Sequence, residues 1–136
     1  MKILKTSLIA LSLMVIPASA SVLNVNSIIE NVTDAVISWK SETIDVGEIP
    51  QGTPKTIKFE FTNATSKTVL ITNVKAACGC TATDYSKESI APGKTGYVNA
   101  IYNAASAGAF TKSVTVTTSD SDSAKQLTFK GTVVTK

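Results

Sequence analysis

Ala76-Ala77-Cys78-Gly79-Cys80-Thr81 holds both cysteines of the chain and is the one segment whose residue types and spacing point to chemistry. Thiols two positions apart admit three outcomes. The first is a Cys78–Cys80 disulfide. In an extended strand the two Cα atoms would lie near or beyond the ~4.4–6.8 Å that a disulfide accepts, but Gly79 permits a bend that shortens the span. An oxidising compartment outside the cytoplasm favours that bond. The second is a soft metal site, because two thiolates suit Cu(I), whereas zinc needs more ligands than this pair supplies. The third treats both cysteines as small buried apolar side chains at a sheet edge. Cys78 and Cys80 are thus the candidate site residues, as a disulfide or as functional thiols, with Gly79 and Thr81 as motif neighbours.

The rest of the composition narrows what this site can do. The chain has no histidine, and all thirteen of its basic residues are lysine. Without histidine there is no Ser-His-Asp or Cys-His group, no imidazole metal ligand and no imidazole pH switch. Without arginine there is no bidentate phosphate clamp, which argues against nucleic acid as a partner. A cysteine nucleophile would lack a base, with Lys75 the only nearby cation in sequence. The expectation is a protein that is not an enzyme, with no catalytic, cofactor-binding or metal-ligating residues and no cofactor.

The segment 1–20 reads as a signal peptide. Lys2 and Lys5 precede an apolar run from Leu8 to Ile16, and Pro17-Ala18-Ser19-Ala20 ends in the small residues a signal peptidase reads. The run falls short of the ~20 residues that span a bilayer. Cleavage leaves no membrane span and an exported protein, periplasmic or secreted. Ser21–Lys136 then carries eleven lysines against ten acids and neither methionine. So balanced a charge gives no footprint for nucleic acid or an anionic membrane.

The elements that must position the cysteines are strands. Residues 21–34 read as a linker or short helix; from 35 to 136 Thr, Val and Ile dominate, and such β-branched residues suit a pleated, half-buried surface. Ala35–Ile44 supplies a first strand, and Val46–Gly52 a turn punctuated by Gly47, Pro50 and Gly52. Lys55–Thr62 alternates strictly, with Ile57, Phe59 and Phe61 on one face. Thr68–Val74 follows, then the cysteines and a loop carrying Asp84, Tyr85, Lys87 and Glu88. Ile90-Ala91-Pro92-Gly93-Lys94 is a Pro-Gly turn. Gly96–Tyr102, Phe110–Thr118 and Gln126–Val134 complete the set, with Ser119–Ser123 as a turn. Six or seven strands at spacings near 8–12 residues predict an all-β domain, a single antiparallel β-sandwich. Trp39 reads as core. Two sequons, Asn31-Val32-Thr33 and Asn63-Ala64-Thr65, and the acidic turn Asp120-Ser121-Asp122 are weaker signals.

Four segments also match a known pattern in order: Val46-Gly47 with Ile49, Phe59-Glu60-Phe61-Thr62-Asn63, Cys78-Gly79-Cys80-Thr81, and Ile90-Ala91-Pro92-Gly93. Over about residues 40–134 the chain resembles the secreted bacterial family known as domain of unknown function fifteen seventy-three, common in Bacteroidetes. The resemblance implies an immunoglobulin-like sandwich of about seven strands, similar to domains in pilus chaperones and in certain ciliary and sperm proteins, which work mainly by binding other proteins. It also implies a place in the cell envelope. One departure is Asp45-Val46-Gly47, where many such sequences carry Asp-Phe-Gly. The expected function is therefore a non-enzymatic protein-binding or structural module of the envelope, whose partner is an envelope or secreted protein met by edge-strand pairing near Thr68–Thr81. A thiol-redox or Cu(I)-handling protein using Cys78 and Cys80 is the alternative.

Overall fold

The computed structural model describes residues 36–136; the segments read as signal peptide and as linker or short helix lie outside the described residues. Eight strands alternate with short turns: β1 (Ile37–Trp39), β2 (Thr43–Pro50), β3 (Lys55–Asn63), β4 (Ile71–Ala76), β5 (Thr81–Tyr85), β6 (Thr95–Tyr102), β7 (Gly108–Thr118) and β8 (Ser121–Val134). They form two four-stranded sheets, ordered β1-β3-β6-β5 and β2-β8-β7-β4. No helix among the described residues is long and apolar enough to cross a membrane.

Period-two alternation builds the core. Ile57, Phe59 and Phe61 of β3 face inward with Val98 of β6, against Val114 and Val116 of β7 and Leu127 and Phe129 of β8, all 3 % exposed or less. Tyr102, Phe110 and Phe129 pack as a tilted aromatic cluster, with ring centroids 4.4–6.1 Å apart. Burying each such phenylalanine contributes about 1.5–3 kcal/mol. Gly96 of β6 stands in register with Phe61 of β3, and a Cβ there would lie 2.5 Å from Phe61 Cζ. Only glycine fits there.

The predicted first strand is really two. β1 pairs with β3, and the chain hands over at Lys40–Glu42: Lys40 N–H donates to Glu60 O (2.9 Å), and Glu42 O accepts from Thr128 N–H (2.8 Å). The chain thus switches sheets without reversing, so β2 runs parallel to β8 while every other strand pair is antiparallel. The segment read as a turn, Val46–Gly52, is mostly strand. Gly47, at φ 67°, makes a bulge in β2, with its N–H donating to Asp45 Oδ1 at 2.9 Å. The bulge presses on Gly131 of β8, where a Cβ would meet Gly47 O at 2.6 Å and Val46 Cγ2 at 2.7 Å. Valine at 46 already fills that contact. The true turn is Gln51–Gly52, tied by Gly52 N–H to Ala104 O (2.9 Å).

Candidate functional site

The cysteines sit where the chain crosses between sheets. β4 is an edge of one sheet and β5 an edge of the other. The four-residue link between them is Ala77-Cys78-Gly79-Cys80. Its entrance is held by Ala77 N–H donating to Ser113 O (3.0 Å), its exit by Asn103 N–H donating to Cys80 O (3.1 Å). Between these anchors the backbone turns, Thr81 N–H reaching Cys78 O at 3.4 Å. The turn brings the Cα atoms of Cys78 and Cys80 to 5.3 Å, and the two sulfurs are bonded. Both residues are half-buried, while Gly79 is exposed. Thr81, 7 % exposed, holds its Oγ1 3.8 Å from Cys78 Sγ and 3.9 Å from Cys80 Sγ. A disulfide sulfur carries no proton, so the threonine hydroxyl is the donor in these weak contacts. Thiolate chemistry or Cu(I) ligation would require reduction first. The described residues contain no group of three or more His, Cys, Asp or Glu placed to hold a metal ion.

Asp84 and Tyr85, read from sequence as loop residues, belong to β5. Cys80 O bonds to Asn103 N–H and Ser86 N–H donates to Tyr97 O (3.1 Å), so the even-numbered residues turn their backbone groups toward β6. Thr83 and Tyr85 therefore point theirs outward, along the open edge. The side chains of Thr81, Thr83 and Tyr85 lean toward the core, and those of Ala82 and Asp84 are exposed. Val74, Ala76, Cys80 and Tyr85 form a half-buried apolar seam along the β4–β5 side of the sandwich.

The four sheet edges are not equally guarded. β2 carries the Gly47 bulge and Pro50; β4 carries a bulge between Ile71 and Asn73 and an exposed Lys75; β1 has only three residues and runs into Lys40. Such features discourage edge pairing. β5 keeps an unbroken five-residue register with β6, with no bulge, proline or lysine. Beside it lies an open groove of about 410 Å³ lined by Asp84, Tyr85, Ser86, Lys87, Glu88 and Tyr97. The Lys87 ammonium lies 3.3 Å from the Tyr85 ring centroid. Across β6, Asn99 stands in register with Asp84, and its buried Oδ1 receives no hydrogen bond.

Asn63 has a different role from the one its sequon suggests. It is 0 % exposed, and its Nδ2 donates to Lys67 O and Ile90 O, each at 2.8 Å. Its Oδ1 accepts from Thr65 N–H (3.0 Å) and Thr65 Oγ1 (2.6 Å). The amide that a glycan would need is thus spent on clamping loops. Trp39 packs on Phe61 at 4.8 Å between centroids, at the opposite side of the sandwich from the disulfide. Asp120 lies in the β7–β8 turn, while Ser121 and Asp122 begin β8.

Several solved structures share this fold. A protein of unknown function from Porphyromonas gingivalis W83 aligns with TM-score 0.62 and 14 % identity, over 76 % of this chain and 50 % of that one. This chain thus spans half the length of that protein. A PapD-like domain of human CEP192 (domain 7) aligns with TM-score 0.60 and 10 % identity, over 76 % and 88 %. The Vibrio cholerae VesB protease aligns with TM-score 0.57 and 12 % identity, over 71 % of this chain but 32 % of the protease. At these identities the likeness concerns the fold alone, an immunoglobulin-like β-sandwich. No curated protein matches the sequence. The family profile described as "Protein of unknown function (DUF1573)" matches residues 37–133. The match spans all eight strands but the last residue of β8, and the chain belongs to that family.

Proposed function

We propose that this domain is a non-enzymatic binding module of the cell envelope that takes an extended polypeptide segment along the edge of β5. The observation that carries the reading is the β5 edge, which has no bulge, proline or lysine. Its outward N–H and C=O groups at Thr83 and Tyr85 can extend a sheet, and the apolar seam of Val74, Ala76, Cys80 and Tyr85 can cover alternate side chains of an added strand. The disulfide closes the tight turn within the crossing from β4 to β5, whose two ends are already anchored by backbone hydrogen bonds. Export is supported by the signal-peptide pattern of residues 1–20 and fits a bonded cysteine pair. The partner is then another envelope or secreted protein.

The test uses Thr83→Pro. The Thr83 N–H points away from β6, so proline removes no ladder bond within the domain but blocks an added strand. A photo-crosslinker at exposed Ala82 should trap a discrete partner in cells, and Thr83→Pro should abolish that product while leaving the melting curve intact. An undiminished crosslink in the folded variant would remove β5 as the docking edge. The N-terminus of the protein recovered from the periplasm should be Ser21.

A further inference from the structure

Resting on that reading, we infer that the β5 edge selects a segment presenting a lysine or arginine opposite Asp84. Asp84 stands in the middle of the edge, exposed on the outer face of the sheet. The ion pairs of the described residues use Glu42, Asp45 and Glu60, and none reaches Asp84. The nearest cation in sequence, Lys87, is drawn over the Tyr85 ring instead. Lys58, one strand beyond Asn99, is engaged with Glu60 at 2.9 Å. Glu88, exposed at the neighbouring groove, adds a second negative charge. The outer face of the edge therefore offers negative charge where an added strand would lie.

Geometry sharpens the preference. Asp84 turns its backbone toward β6, so on the open side it occupies a non-hydrogen-bonded position. In an antiparallel pair, residues facing each other at such positions are the closer ones, with Cα atoms ~4.5 Å apart. A cation there meets the Asp84 carboxylate directly. A carboxylate there meets like charge, which is destabilising across strands. On the inner face the same segment would set small apolar residues against Tyr85 and Val74.

The probes are short fluorescent peptides of alternating valine and threonine, with lysine, glutamine or glutamate at one central threonine position, titrated into the full-length protein at low salt. The expected order is lysine, then glutamine, then glutamate, with about fivefold between the extremes, as exposed charge pairs give. The gap should narrow with salt. Asp84→Asn should collapse it, and Asp84→Lys should reverse it. Thr83→Pro should abolish binding of all three peptides. Equal binding of the three peptides, lost with Thr83→Pro, would overturn the charge preference and leave edge docking standing. Binding that survives Thr83→Pro, or no binding by any peptide, would overturn both.

Discussion

Replacing Asn63 by aspartate tests whether one buried amide clamps the loops at Thr65–Lys67 and Ile90 to the end of β3. The two side chains have the same shape, so the change isolates hydrogen-bond polarity. In the native protein Nδ2 donates at 2.8 Å to both Lys67 O and Ile90 O, and Oδ1 accepts twice from Thr65. Asn63→Asp keeps the Thr65 side and sets an oxygen against two carbonyl oxygens. Two lost hydrogen bonds cost about 1–3 kcal/mol together. Ile90 O retains the Val69 N–H bond at 2.9 Å, and Lys67 is exposed, so neither carbonyl is left bare. The larger cost is the charge, because a carboxylate at a 0 % exposed site loses hydration that only Thr65 replaces. We expect about 3–5 kcal/mol of destabilisation at pH 7, a large share of a small domain's stability. The buried carboxyl would have a folded pKa above its unfolded value of ~3.9. The penalty is therefore small below that unfolded value and grows as pH rises above it. Urea unfolding at several pH values, with Asn63→Ala as the uncharged reference, measures this. Asn63→Ala should cost about 2–3 kcal/mol with no added pH dependence. An aspartate variant within about 1 kcal/mol of the native protein at pH 7, roughly the size of one hydrogen bond, or a gap to alanine that does not change with pH, would refute the clamp.

Gly96→Ala should destabilise by about 2–3 kcal/mol through overpacking, because its Cβ would stand 2.5 Å from Phe61 Cζ; a thermal midpoint matching the native one would contradict that packing. Replacing Cys78 and Cys80 by serine should lower stability by no more than about 1.5 kcal/mol, since so short a ring removes little chain entropy. Calorimetry reads that loss, and complete unfolding of the double variant would mean that the crossing depends on the bond. The Lys58 ammonium, bonded at 2.9 Å, holds the Glu60 carboxyl below its ordinary value, with Lys40 adding to the effect. A depressed folded pKa contributes stability above the unfolded value that is lost as pH falls through the folded one. NMR titration of Glu60 should show the depression shrink in Lys58→Met and in high salt, as for any exposed pair.

Much of the fold is legible in local pattern. Strict alternation in Lys55–Thr62 put Ile57, Phe59 and Phe61 inside, and Phe110, Val114, Val116, Leu127, Phe129 and Val133 followed the same rule. The period of two is a property of the extended chain itself, so it survives without tertiary information. Where the reading departed from the structure, the reason is equally physical. Val46–Gly52 looked like a turn because Gly47, Pro50 and Gly52 are turn residues, yet the chain stays in β2 through Pro50, with Gly47 making a bulge, and turns only at Gln51–Gly52. Asp84 and Tyr85 looked like loop because a polar five-residue edge strand shows little alternation. Asn63 was visible only as a sequon and a strand end, since its clamp joins residues 27 positions apart.

The sequence by itself determined the β class, the faces of the long strands and the place of the paired cysteines, because side-chain alternation and covalent reach are local. Only the tertiary structure decided which strands became edges. That choice depends on where Lys40–Glu42 and Ala77–Cys80 carry the chain between sheets, and on contacts such as Gly131 beneath Gly47 that bring together residues far apart in sequence. The open edge at Thr83 and Tyr85 exists because β6 satisfies one side of β5 and, among the described residues, no strand lies beyond the other.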